Sequence, residues 1–182
     1  MKFYDKFLIH TIKMIVNKNK VVSISYSLHV NAKDGELVEV VDKDKPMQYI
    51  HGIGTMLESF EAQLEGMKAG DSFDFMIKSV DAYGEASEEA IVNLPKSVFE
   101  VDGAIDEDLL VVDNVIPMQD KDGNHYNGIV LEVTDDEVQI DFNHPLAGDD
   151  LFFTGTVIEI REASHTEIEH GHVHGEGHHH HH

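Results

Sequence analysis

The sequence predicts an α+β protein, an antiparallel sheet with one short helix, into which a small β-rich unit is inserted late in the chain. Three observations predict it. Apolar residues alternate in period two over VVSISYSLHV (21–30), SFDFMIKSV (72–80) and LFFTGTVIEIRE (151–162), as half-buried strands do. Between Thr55 and Gly70 the spacing becomes helical, with Met56, Leu57, Phe60 and Leu64 on one face. From about Glu88 the texture changes to short β-like runs, after which a strong strand returns whose partners must come from the first part of the chain, so the unit reads as inserted.

The elements follow in order. Residues 1–20, MKFYDKFLIHTIKMIVNKNK, are broken by Lys6, His10 and Lys13 and lack a clean apolar stretch and a small-residue cleavage site, so they read as an N-terminal extension, not a signal peptide. Residues 1–13 fit an upstream translation start or a short amphipathic helix. The first strand turns through AKDGEL into LVEVV, a hairpin, and MQYIHGIG is a strand ending in glycines. Thr55 is the expected N-cap of the helix and Gly66 or Gly70 its end. DAYG follows the next strand as a turn. IVNLPKSVF is expected as a short helix or turn around its proline, and NVIPMQ, YNGIVLEV and EVQIDF as a meander joined by DKDG and TDDE. The expected boundaries are 21–90 with 143–163 for the main domain, 91–142 for the insert, and 164–182 for a polar, His-rich tail whose run His178–His182 is a tag.

Composition narrows function. Without cysteine, thiol redox chemistry, thiolate metal sites and a disulfide framework are excluded together, which fits a reducing, cytoplasmic location. A formal charge of −22 repels phosphate backbones and anionic lipid, so neither nucleic acid nor a membrane is an expected partner. No apolar run approaches the roughly 20 residues that cross a bilayer. The same charge opposes self-association, and a monomer is expected.

Taken together and in order, VVSISYSL, DGELV, YIHGIG, LESFEAQLEGM, SVDAYGE, LPKSVF, NHPLAG, VIEIREAS and HGHVHG resemble the SlyD branch of the FKBP-type peptidyl-prolyl cis-trans isomerases, from about Val21 to Gly175. The resemblance implies an FKBP-like twisted antiparallel sheet wrapped on the helix, an insert-in-flap chaperone domain, and an apolar cleft that rotates X–Pro bonds in unfolded or proline-containing polypeptides without any required cofactor. Matched by motif, the cleft is lined by Tyr26, Val38, Met47, Met56, Leu57, Phe60, Tyr83 and Phe153, with Glu39 as an accessory. Two departures stand out: Glu39 replaces the usual aspartate and is one methylene longer, and Phe60 stands where many relatives have tryptophan. From spacing alone the helix stripe and Phe153 read as ordinary core, Tyr83 as a turn residue, and Tyr26 as either core or cleft.

In the insert, Ile91, Val92, Leu94, Val98 and Phe99 are expected to meet client chains, because a meander of about 50 residues buries its apolar face poorly. His170, His172 and His174 alternate, so an extended backbone would aim three imidazoles at one nickel or zinc ion; a disordered polar tail is the competing reading. A holdase-type chaperone with weak isomerase activity and a nickel metallochaperone are the alternative functions.

Overall fold

The computed structural model describes residues 14–101, 103–105 and 108–174. The expectations for residues 1–13 and for the run His178–His182 lie outside them. No helix among the described residues is long and apolar enough to cross a membrane. The chain divides into two compact units, one running to Ala82 and resuming at Asp150, the other Tyr83–Asp149.

In the first unit, β1 (Lys20–Val30), β2 (Glu36–Val41), β3 (Met47–Ile50), helix α1 (Glu58–Leu64) and β4 (Ser72–Ile77) precede the second unit, and β11 (Leu151–Glu162) and helix α2 (His165–His170) follow it. The antiparallel sheet has the order β2-β1-β11-β4, with β3 also pairing to β1. β1 is central and buried on both faces, which explains why its second face carries small serines: Ser23 and Ser25 are buried beside Val22, Ile24 and Tyr26. Opposite Tyr26 stands Gly155, where an added Cβ would meet the Ser25 carbonyl at 2.2 Å and the Phe73 ring at 2.5 Å. Only glycine lets that ring lie on the sheet here.

Val16 is fully buried and Ile15 bridges Lys68, so the chain joins this unit before β1 instead of leaving residues 14–20 as an extension. Paired main-chain bonds fix it, Val16 N–H donating to the Met67 carbonyl and Gly66 N–H to the Val16 carbonyl, each at 2.8 Å. The helix starts later than its sequence suggests: Leu57, not Thr55, is the N-cap, without a side-chain bond. Left-handed turns at Gly52 and Gly54 use up the intervening residues, and the Leu57 carbonyl then accepts from Phe60 and Glu61 N–H. Where the chain leaves β4 and re-enters β11, Asp150 accepts from Lys78 Nζ and Ser79 N–H at 2.9 Å each, bonds that hold its carboxyl below the usual carboxylate range.

The second unit contains β5 (Ile91–Pro95), the short ribbon β6 (Glu100–Val101) and β7 (Ala104–Ile105), and β8 (Val115–Gln119), β9 (His125–Val133) and β10 (Glu137–Asp141). Its main sheet has the order β5-β10-β9-β8. IVNLPKSVF is therefore a strand followed by a 3₁₀ turn over Lys96–Phe99, not a helix. Pro95 and Pro117 lack an N–H and both sit in edge strands, the positions that tolerate this. Phe99 is buried with Leu110, Ile116, Val130, Val138 and Ile140, which corrects its expected place on a client-facing surface: this aromatic closes the unit's own core.

Candidate active site

The face of the first unit's sheet that meets α1 follows from strand register. Side chains opposite or diagonal to one another across antiparallel strands share a face. Leu28 faces Phe153 and Tyr26 faces Gly155, so Tyr26 and Phe153 are diagonal neighbours, and Phe153 stands directly opposite Phe75. Their rings meet at centroid distances of 5.7 Å and 5.6 Å. Phe60 descends from α1 into this face, edge-on to Phe153 at 4.9 Å, Phe75 at 5.5 Å, Tyr49 at 6.2 Å and Phe73 at 6.3 Å. These T-shaped contacts set the positive edge of one ring on the negative face of the next.

One polar bond crosses the rim. The register of β1 with β2 slips between Leu28 and His29, leaving Val38 as the extra residue and putting Glu39 opposite Leu28, diagonal to Tyr26. The Tyr26 hydroxyl donates to Glu39 Oε2 at 2.7 Å, with Met47 Sδ 3.7 Å away. The longer acidic side chain thus reaches the ring cluster from the edge strand. Met47 and Met56 line a cavity of about 310 Å³ with Tyr49, Thr55 and, from the tail, Val173. Leu57 follows Met56, half-buried at the helix entry, and no backbone partner for its N–H occurs among the described residues.

Of the nine residues expected from sequence, Tyr26, Glu39, Met47, Phe60 and Phe153 are brought into direct contact in one network, and Met56 adjoins it through the cavity shared with Met47. Val38 is 44% exposed on the edge strand. Tyr83 belongs to the second unit, where its ring stacks on His144 at 3.7 Å and 6°. Sequence reasoning missed Tyr49, Phe73 and Phe75. The alternation in SFDFMI carries the signal for the last two, but only register shows which helix residue they meet.

The second unit exposes Val98, Val111, Val112 and Val115, each at least half exposed, while Ile91, Val92 and Leu94 are half-buried.

The described residues of the tail form the helix α2 and a left-handed turn after it, unlike the disordered reading. Ser164 and Glu167 form a capping box at the start of α2, and Glu167, 2% exposed, also binds both Arg161 guanidinium nitrogens and the His174 N–H. Arg161 first, then the Ser164 and His174 amides, hold its carboxyl far below the usual range. The three histidines do converge, though not along an extended backbone. His170 ends α2, Gly171 turns left-handed, and the ring nitrogens of His170, His172 and His174 then lie within 4.8 Å of one another. Three neutral imidazoles fit the ligand preference of nickel and zinc.

Comparison with known proteins identifies the family. Residues 13–102 match the family model described as FKBP-type peptidyl-prolyl cis-trans isomerase. The chain is 40% identical over 162 residues to the "FKBP-type peptidyl-prolyl cis-trans isomerase SlyD" of Haemophilus influenzae, covering 89% of this chain and 81% of that one. It is 39% identical to the proteins of that name from Yersinia pestis, covering 90% and 80%, and from Escherichia coli K12, covering 89% and 79%.

Proposed function

Since the chain belongs to the FKBP-type peptidyl-prolyl cis-trans isomerases, we propose that the cluster of Tyr26, Phe60 and Phe153 receives the proline ring, and that the second unit captures unfolded chains for it. The enzyme class is established by the relatives and needs no cofactor. The observation that carries the siting is the set of edge-on contacts around Phe60, joined at its rim to the Tyr26–Glu39 bond.

A planar X–Pro imide resists rotation through resonance, with a barrier of about 18–20 kcal/mol. At the perpendicular transition state that resonance is lost, and the carbonyl and nitrogen are less polarised than in the ground state. An apolar, close-fitting surface therefore favours the twisted form over water, and each 1.4 kcal/mol of that preference gives about tenfold in rate. No nucleophile or base is required. In this reading Phe60, Phe153 and Tyr26 hold the ring, Met47, Met56 and Leu57 form the wall, and Val38 borders the edge. Glu39 fixes the Tyr26 hydroxyl. The Leu57 N–H is a donor for a substrate carbonyl, which orients the chain without touching the rotating bond.

For the second unit, support comes from Val98, Val111, Val112 and Val115 standing exposed on a strongly acidic protein, beside the open edges of β5 and β8. Ile91, Val92 and Leu94 on β5 would contact an added strand. Strand addition of this kind recognises main chain more than sequence, as a folding factor with many clients requires.

The convergence of His170, His172 and His174 favours a second activity, nickel or zinc binding. Calorimetry on protein lacking the run His178–His182 should give one site per chain. Equal affinity in His172→Ala assigns the ion elsewhere.

A further inference from the structure

One buried titratable group beside the ring cluster has no part in the reaction as described. His51, 3% exposed, follows β3 directly, with Nε2 2.8 Å from Glu65 Oε2 and Nδ1 3.2 Å from the Tyr49 hydroxyl. An ionised Glu65 can only accept, so Nε2 carries a hydrogen, and in the neutral ring Nδ1 is left to accept from Tyr49 O–H. Tyr49 is 5% exposed and lies edge-on to Phe60; burial, then the nearby Glu61 and Glu65 charges, push its hydroxyl well above the usual tyrosine range, so it remains a donor. On α1, Glu61 follows Phe60 directly and accepts the Gly52 N–H at 2.9 Å. Two carboxylates, Glu61 and Glu65, thus tie the helix that carries Phe60 to the residues His51 and Gly52.

We propose that neutral His51 is a positioning residue for proline isomerisation: by accepting from Tyr49 and donating to Glu65 it holds Phe60 in place, and its protonation loosens the cleft floor. The proposal rests on Phe60 being that floor. Protonation puts a hydrogen on Nδ1, so the bond to Tyr49 reverses, its oxygen now accepting, and the Tyr49 O–H loses its acceptor in a dry site. The groups facing the imidazole and its turn are Tyr49 on β3, Glu61 on α1, Glu65 at the C-cap of α1, and Lys18, whose stem packs on Gly52. Of these, Glu65 keeps its bond to the imidazolium, so the loss falls on the Tyr49 side, which touches Phe60.

The test uses the full chain and exchange spectroscopy on a proline tetrapeptide, from about pH 8 to about pH 5, where imidazoles gain charge. Wild-type kcat/KM should fall about fivefold towards acid, the worth of one buried hydrogen bond. Tyr49→Phe should start about that much lower and stay flat. Glu65→Gln, which still accepts from Nε2 but no longer attracts the imidazolium, should move the acid decline to lower pH. The histidines of the tail are common to all three proteins and cancel in the comparison. A flat wild-type profile, or an undiminished acid decline in Tyr49→Phe, overturns the proposal. Ring resonances of Phe60 locate the fault: if they stay fixed through the titration, His51 does not position Phe60, whereas if they move and turnover does not, the reading of Phe60 as the floor is what fails.

Discussion

Excising residues 91–142 and closing the gap with a short glycine linker should leave turnover of a proline tetrapeptide within about twofold, while catalysis of proline-limited protein refolding falls about a hundredfold. The geometry allows the cut. Phe142 N–H donates to the Ala90 carbonyl at 3.0 Å, so the two ends of the excised segment already adjoin. Just outside them, Ser87 and Asn143 exchange bonds in both directions, Ser87 N–H to Asn143 Oδ1 at 2.9 Å and Asn143 Nδ2 to the Ser87 carbonyl at 3.0 Å. The core removed, around Phe99, Val130 and Ile140, belongs wholly to the second unit, and the first unit keeps every strand of its sheet. The split between substrates follows from tethering: a captured chain meets the cleft at an effective concentration set by the linkage, worth 10²–10⁴ in avidity, and a tetrapeptide too short to engage both units gains nothing. Equal losses on both substrates would refute the division of labour.

Phe60→Ala should be the most damaging single substitution in the first unit. The side chain is 1% exposed and meets four other aromatic rings, so its removal leaves a cavity that rigid neighbours on β4 and β11 cannot fill. Large-to-small changes at such sites cost about 3–5 kcal/mol, read here as a lower urea midpoint for the first unit. Below the new midpoint, turnover of the tetrapeptide should drop by more than about tenfold, because the twisted imide has lost its apolar partner. Phe60→Leu, which restores volume without the ring, should recover most of the stability and less of the rate. An alanine variant as stable as wild type would mean that the ring cluster is not packed as described.

How far the sequence carried this account depends on which interactions are local. Period-two alternation located β1, β4 and β11, and helical spacing located α1 with Phe60 on its inner face, because both patterns report burial one residue at a time. The companions of Phe60 were not legible, since Tyr49, Phe73 and Phe75 acquire meaning only through pairings between distant strands. Gly155 hides for the same reason: its need for a missing Cβ comes from Ser25 and Phe73, both far away in the chain. Thr55 looked like a cap, but the left-handed glycines before it delay the helix to Glu58. α2 was legible and overlooked. Ser164 and Glu167 have capping-box spacing, and the polar composition around them obscured it. The burial of Phe99 was beyond reach, because an apolar residue after a proline turn reads alike whether it closes a core or awaits a client.

The central claim, that the ring cluster of the first unit is where the imide turns, is tested most directly by transferred and intermolecular NOEs recorded while cis–trans exchange of a proline peptide is being catalysed. The account predicts that proline ring protons show cross-peaks to Tyr26, Phe60 and Phe153, and that peptides with stronger cross-peaks exchange faster. Catalysed exchange accompanied by proline contacts only to residues outside that cluster would contradict it.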